Sequence, residues 1–299
     1  MTERAFPGFV SVVMAVRNGL PWIEDQIKSI AAQELSCPWE LVVSDNGSTD
    51  RTIEAVQSLA ASLPRLVVVN AHEKPGKQFA QRRGVLASRG DLLVFVDHDD
   101  ICAPGWLASL ADTSRSFDAV GGAREVRLLN DQSAIDARPW SDVMGKDLLR
   151  TPGGVPYPMG CNWAIWRDVW HEMDDPTNDL PIWAMSSEDA EAGCRLARHG
   201  RTLGFAPQAM VHYRLRPPGR ATRRQLRSYD CALALIYKRH RDIGVRRNTL
   251  GEAAKIYLRL TPRACKAWFE HDESHWARAE LAQAVGRIEG SIRCKIFYP

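Results

Sequence analysis

The sequence predicts an α/β fold built on a doubly wound, mostly parallel central sheet covered on both faces, followed by a helical appendage at the C-terminal end. Two observations predict the sheet: short apolar runs alternate with helix-periodic stretches, and the polar, acid-rich clusters fall directly after the apolar runs. Open parallel sheets bind ligands outside the carboxyl ends of their strands, which is where those clusters fall.

Residues 9–16 form a continuous apolar run, and 21–32 follow with Trp22, Ile23, Ile27, Ile30 and Ala31 at helical spacing. Residues 39–44 read as the second strand. Asp45-Asn46-Gly47-Ser48-Thr49-Asp50 is a turn ending in helix-capping residues ahead of a helix over 52–61. A strand over 66–70 and a helix over 77–88 come next. Leu92-Leu93-Val94-Phe95-Val96, bounded by Gly90 and by Pro104-Gly105, reads as the buried central strand.

That strand ends in Asp97-His98-Asp99-Asp100. In an extended chain residues i and i+2 point to the same side, so Asp97 and Asp99 present oxygens to one ligand while His98 points away. Two hard oxygen donors on one face suit Mg²⁺ or Mn²⁺. Asp100 fits a turn or a helix cap. Asp45 leaves its strand ahead of the turn proper, where a carboxylate can accept a ring N–H from uracil, thymine or guanine.

The totals limit the classes. At 299 residues there is room for one large domain or two modest ones, and a formal charge of +3 gives no reason to expect a nucleic-acid partner. Seven scattered cysteines, an odd number without C-x-x-C spacing, are expected to be reduced thiols in a cytoplasmic protein. The start lacks the apolar core of a signal peptide, and no run of eighteen apolar residues occurs.

Beyond Pro104, residues 118–127 suggest a strand with the pair Gly121-Gly122. Residues 130–159, rich in proline and glycine, read as a lid. Residues 159–167 lie within a tryptophan-rich half (Trp140, Trp163, Trp166, Trp170, Trp183), of which at least half are expected in the core. Ser186-Ser187-Glu188-Asp189 opens a helix with capping residues and acids, and Gly200 closes it. Residues 214–247 carry eleven Lys or Arg against two acids along two helical segments, a surface for anionic head groups or a phosphate-bearing acceptor. Residues 250–297 suit helices packed on the main domain or on a second subunit.

Four segments, Ser11 to Asn18, Glu40 to Asp50, Gly76 to Gly84 and Val96 to Asp100, stand in the order and spacing of the family 2 glycosyltransferases, which the chain resembles over about its first 105 residues, with later signatures to about 215. The resemblance implies the A-type nucleotide-diphospho-sugar transferase fold, with a donor half over 1–105, an acceptor half over 106–215 and a helical extension over 216–299. It implies inverting, metal-dependent transfer of a hexosyl or deoxyhexosyl group from a nucleotide diphosphate to the hydroxyl of a carbohydrate, glycolipid or small molecule. Asp45 would meet the base, Asp97 and Asp99 the diphosphate and its Mg²⁺ or Mn²⁺, and Ala15, Arg17 and His98 the nucleotide side.

The chain departs from the family's pattern where Ala15-Val16-Arg17-Asn18 replaces Pro-Ala-Tyr-Asn, Asn46 replaces a second Asp, and Ala80-Gln81-Arg82 replaces Ala-Arg-Asn. Lys77, Arg82 and Arg83 therefore all remain open as the phosphate-holding cation. By the same resemblance Asp189 is the general base, with Glu188 as the alternative, and His212 completes the metal site or touches the diphosphate. A base is required because an alcohol is a poor nucleophile near neutral pH. The implied setting is the cytoplasm, with peripheral contact at the inner face of a membrane. A sugar nucleotidyltransferase would need a glycine-rich loop where residues 16–19 hold one glycine. A silent sugar-nucleotide binder would have no use for Asp97, Asp99 and Asp189 together.

Overall fold

The computed structural model describes residues 3–136, 147–173, 180–217, 219–269 and 274–299. The first half holds β1 (Val10–Val16), α1 (Ile23–Ala31), β2 (Trp39–Asp45), α2 (Thr52–Ser58), β3 (Leu66–Asn70), α3 (Lys77–Ala87) and β4 (Leu92–Val96). Then come β5 (Ile101–Cys102), α4 (Trp106–Thr113), β6 (Ala119–Glu125), α5 (Gln132–Asp136), β7 (Leu149–Arg150), β8 (Pro156–Tyr157), β9 (Asn162–Trp166), α6 (Arg167–Glu172), α7 (Glu188–Arg198) and β10 (Leu203–His212). Three helices follow: α8 (Arg220–His240), α9 (Leu250–Phe269) and α10 (Ser274–Cys294).

Eight strands form one sheet in the order β3-β2-β1-β4-β9-β6-β10-β5, and β7 and β8 form a separate hairpin. The pairs β2–β3, β1–β2, β1–β4 and β6–β10 are parallel, so the mostly parallel sheet expected from the sequence is present. Two strands run against it: β9 between β4 and β6, and β5 at the edge. Every residue of β1, β2, β4 and β9 is buried, as strands covered on both faces require. Cross-strand packing fixes the register at the centre, where Phe95 of β4 lies opposite Trp163 of β9 with ring centroids 4.8 Å apart. Trp170 stacks on the same ring at 5.1 Å, and Trp163, Trp166 and Trp170 all belong to the core.

Several local expectations change. The helix after the Asp45 turn ends at Ser58 and passes into a 3₁₀ turn, Ala60–Ser62. Ser186 and Ser187 do not cap α7, because a 3₁₀ turn over Ile182–Ser187 runs straight into it. The basic stretch after Arg214 contains one long helix, α8, closed by a 3₁₀ turn, Arg241–Ile243, and by Gly244 at φ 99°. The proposed lid holds α5 and the β7–β8 hairpin, whose Pro152 carbonyl accepts the Arg246 N–H at 2.7 Å, while residues 137–146, with Trp140, lie outside the described residues. Cys37, Cys102, Cys161, Cys194, Cys231 and Cys294 are free thiols. No helix among the described residues is long and apolar enough to cross a membrane.

Candidate active site

β4 is a run of apolar residues that ends as soon as the carboxylates begin, so the sheet itself delivers Asp97, Asp99 and Asp100 to its carboxyl edge. Their ligand oxygens all lie within 4.8 Å of one another. The turn is held from three directions. Gln26 Nε2 donates to the Asp97 carbonyl at 2.8 Å, the Arg214 N–H donates to Asp100 Oδ1 at 2.9 Å, and Arg214 Nε donates to the Asp99 carbonyl at 3.0 Å. The Arg214 guanidinium lies 3.9 Å from the centroid of the Trp22 ring.

Burial, reinforced by Asp97, pushes the Asp99 carboxyl above its ordinary value, and burial with Asp99 and Asp97 pushes Asp100 well above it. Asp100 Oδ2 is buried without a hydrogen-bond partner. Crowded carboxylates with one orphaned oxygen fit a hard divalent cation, which would accept that oxygen and relieve the repulsion. Asp100, expected in a turn or cap, thus belongs to the acid group. Among the described residues His212 does not: its Nδ1 lies 3.0 Å from Glu125 Oε2.

α3 and α7 bring the remaining groups. Lys77, the first residue of α3, places Nζ 2.5 Å from Asp97 Oδ1 and 3.2 Å from Glu188 Oε1, with the Gly160 carbonyl at 3.4 Å. Burial alone would lower the Lys77 pKa, but Asp97 and Glu188 hold it well above the ordinary value, so the ammonium stays charged. Its position is built in. Gly76, at φ 136°, holds a backbone conformation that residues with side chains rarely adopt, and Gln78 Nε2 donates to the Met185 carbonyl at 3.1 Å. Burial raises the Glu188 carboxyl despite Lys77, and its Oε2 has no hydrogen-bond partner. Burial and Glu188 push half-buried Asp189 up to about 7; it accepts N–H bonds from Ala190 at 2.8 Å and from Gly160 at 3.4 Å.

The Asp45 turn occupies the same sheet edge. Asp45 Oδ1 accepts the Ser48 N–H at 3.0 Å, and Oδ2 lies 2.6 Å from His72 Nε2. Nothing in the sequence pattern pointed to His72, although the parallel register setting Asn70 opposite Asp45 places a residue two further on beside that carboxylate. Asn46 donates to the carbonyls of Ala71 and Lys74 at 2.6 and 2.7 Å and accepts the Gly76 N–H at 2.7 Å, tying this turn to the start of α3. Ala15 is buried against Ala71 and Ala80. Arg17 and Arg82 are exposed, and Arg83 is paired with Glu73 at 3.4 Å. Half-buried His98 lies close to Gly19. The structure therefore brings Lys77, Asp97, Asp99, Asp100, Glu188 and Asp189 together, with Asp45 and His72 along the edge.

The profile described as Glycosyl transferase family 2 matches residues 11–173. Glycosyltransferase AglE of Haloferax volcanii is 26% identical over 224 residues, 73% of this chain and 71% of that protein. A glycosyltransferase of Nostoc sp. is 25% identical over 183 residues, 58% of this chain, and the match spans only 56% of that relative's length. Among solved structures, the mannosyltransferase PcManGT from Pyrobaculum calidifontis in complex with GDP-Man and Mn2+ superposes with a TM-score of 0.62 at 18% identity, covering 95% of this chain and 88% of that one.

Proposed function

Since this chain belongs to glycosyl transferase family 2, we propose that it moves a sugar from a nucleotide diphosphate to an acceptor hydroxyl with inversion, in a divalent-metal-dependent reaction with Asp189 as general base. The observation that carries the reading is the Lys77 ammonium shared by Asp97 and Glu188. It puts the helix-start carboxylates and the strand-end acids within one side chain's reach, as a reaction joining a departing diphosphate to an incoming alcohol requires.

Asp189 suits the base role better than Glu188. A general base works best with a pKa near the operating pH, and Asp189 stands at about 7 while Glu188 is engaged by Lys77. Asp97, Asp99 and Asp100 would hold the cation; the PcManGT structure, of the same fold, contains Mn2+ and GDP-Man. When bound, a divalent cation there neutralises charge on the leaving diphosphate. Lys77 supplies positive charge beside the departing diphosphate, and Asp45, oriented by His72 and the Ser48 N–H, accepts a ring N–H of the base. The basic stretch 214–247 suits an acceptor carrying phosphate or a lipid anchor.

A panel of UDP-, dTDP- and GDP-sugars with Mn²⁺, followed by release of nucleoside diphosphate, tests the reading. Asp189→Asn and Asp99→Asn are each expected to lower turnover by about a hundredfold or more with the circular dichroism spectrum unchanged. Near-normal turnover by either variant would overturn it.

A further inference from the structure

Lys77 does more in this geometry than face a donor phosphate. Its Nζ lies 2.5 Å from Asp97 Oδ1, an oxygen of the three-acid group, and it has two other partners, Glu188 Oε1 of α7 at 3.2 Å and the Gly160 carbonyl at 3.4 Å. The backbone from which this lysine springs is set by Gly76 at φ 136° and by the Gln78 bond to the Met185 carbonyl at 3.1 Å.

We propose that Lys77 is a built-in counter-ion that competes with the divalent metal for Asp97, so that metal binding displaces its ammonium from Asp97 onto Glu188. The inference rests on the metal-dependent reading of the acid group. An ammonium at hydrogen-bond distance from a carboxylate and a divalent cation ligated by that same carboxylate repel each other. Displacement has a ready destination: Glu188 already shares the ammonium, and a lysine stem is long enough to shift between two partners it already touches. Lys77 is on this account a positioning residue for the metal, one that makes the acid group selective for a cation able to outcompete a tethered positive charge.

The test is titration with Mn²⁺ alone, without nucleotide, followed by calorimetry and by loss of the free-ion paramagnetic resonance signal. Lys77→Met is expected to bind Mn²⁺ about tenfold or more tightly than the wild type, and Lys77→Arg, which keeps the charge, to stay near the wild-type value. A purely structural lysine predicts weaker binding in the Met variant, and a lysine that meets only donor phosphate predicts no change. Either result in a variant with an unchanged circular dichroism spectrum overturns the proposal, including the case where neither protein binds Mn²⁺ alone. Failure of the metal reading itself is distinct: there the wild type would bind no Mn²⁺ even with UDP or GDP present, and Asp97→Asn would make no difference.

Discussion

Asp189 and its neighbours set how the protein responds to pH. With burial and Glu188 holding the Asp189 carboxyl at about 7, turnover should rise as pH climbs through that value and level off above it, which a pH profile of kcat checks. Stability should move the other way. Asp99, Asp100, Glu188 and Asp189 all take up protons more readily folded than unfolded, so their contribution is full below the ordinary carboxyl range and is lost as pH rises through the raised values. Without metal, the melting temperature should therefore fall between about pH 5 and pH 8, and Mn²⁺ should raise it more at the upper end, as differential scanning fluorimetry would read. Asp97 and Asp99 were legible in the sequence as acids falling directly after an apolar run, although residues 98–100 form a turn and not the extended chain on which the spacing rule rests. Asp100 was not, because the N–H that fixes it belongs to Arg214, 114 residues away, and a local rule sees only a turn. His72 stayed hidden for the same reason, since only strand register brings it to Asp45.

Strands and helices of the first half followed from apolar period, since each is buried by its immediate neighbours. The direction of β9 did not follow. An apolar run reads the same both ways, and its antiparallel course is set by pairing with β4 and β6. The cap expected at Ser186-Ser187 gave way because residues 182–187 pack against α8 and form a tighter helical turn of their own. α8 and α10 approach closely along the small residues of α10. A Cβ on Gly286 would lie 2.2 Å from the Arg227 carbonyl oxygen, and one on Gly290 would lie 2.4 Å from that of Cys231. Gly290→Val should therefore cost about 1–3 kcal/mol by denaturant titration. Ile288→Ser, on the exposed side of the same helix, should stay within about 0.5 kcal/mol.

In the molecule as a whole, the buried acid Glu191 links α7 to α8. Glu191 accepts hydrogen bonds from Arg195 at 2.9 Å, from Arg239 at 3.2 Å and from His240 Nε2 at 2.9 Å, fastening α7 to the end of α8. Burial alone would raise its carboxyl, yet the bonds from His240 and Arg195 hold it below the ordinary value. Its contribution is thus present above the ordinary Glu range and is lost as pH falls through the lowered value. Glu191→Ala should destabilise the protein by about 3–5 kcal/mol, because three donors lose their acceptor, and urea denaturation would measure it. At the opposite edge Asn46 has a comparable reach, with bonds to Ala71, Lys74 and Gly76 that make the Asp45 turn and the root of Lys77 one mechanical piece. On the roles proposed for Asp45 and Lys77, a nucleobase that fits poorly would tug on the very anchor from which the lysine swings, so discrimination among donors would be felt as a change in timing at the diphosphate and not only as weaker grip.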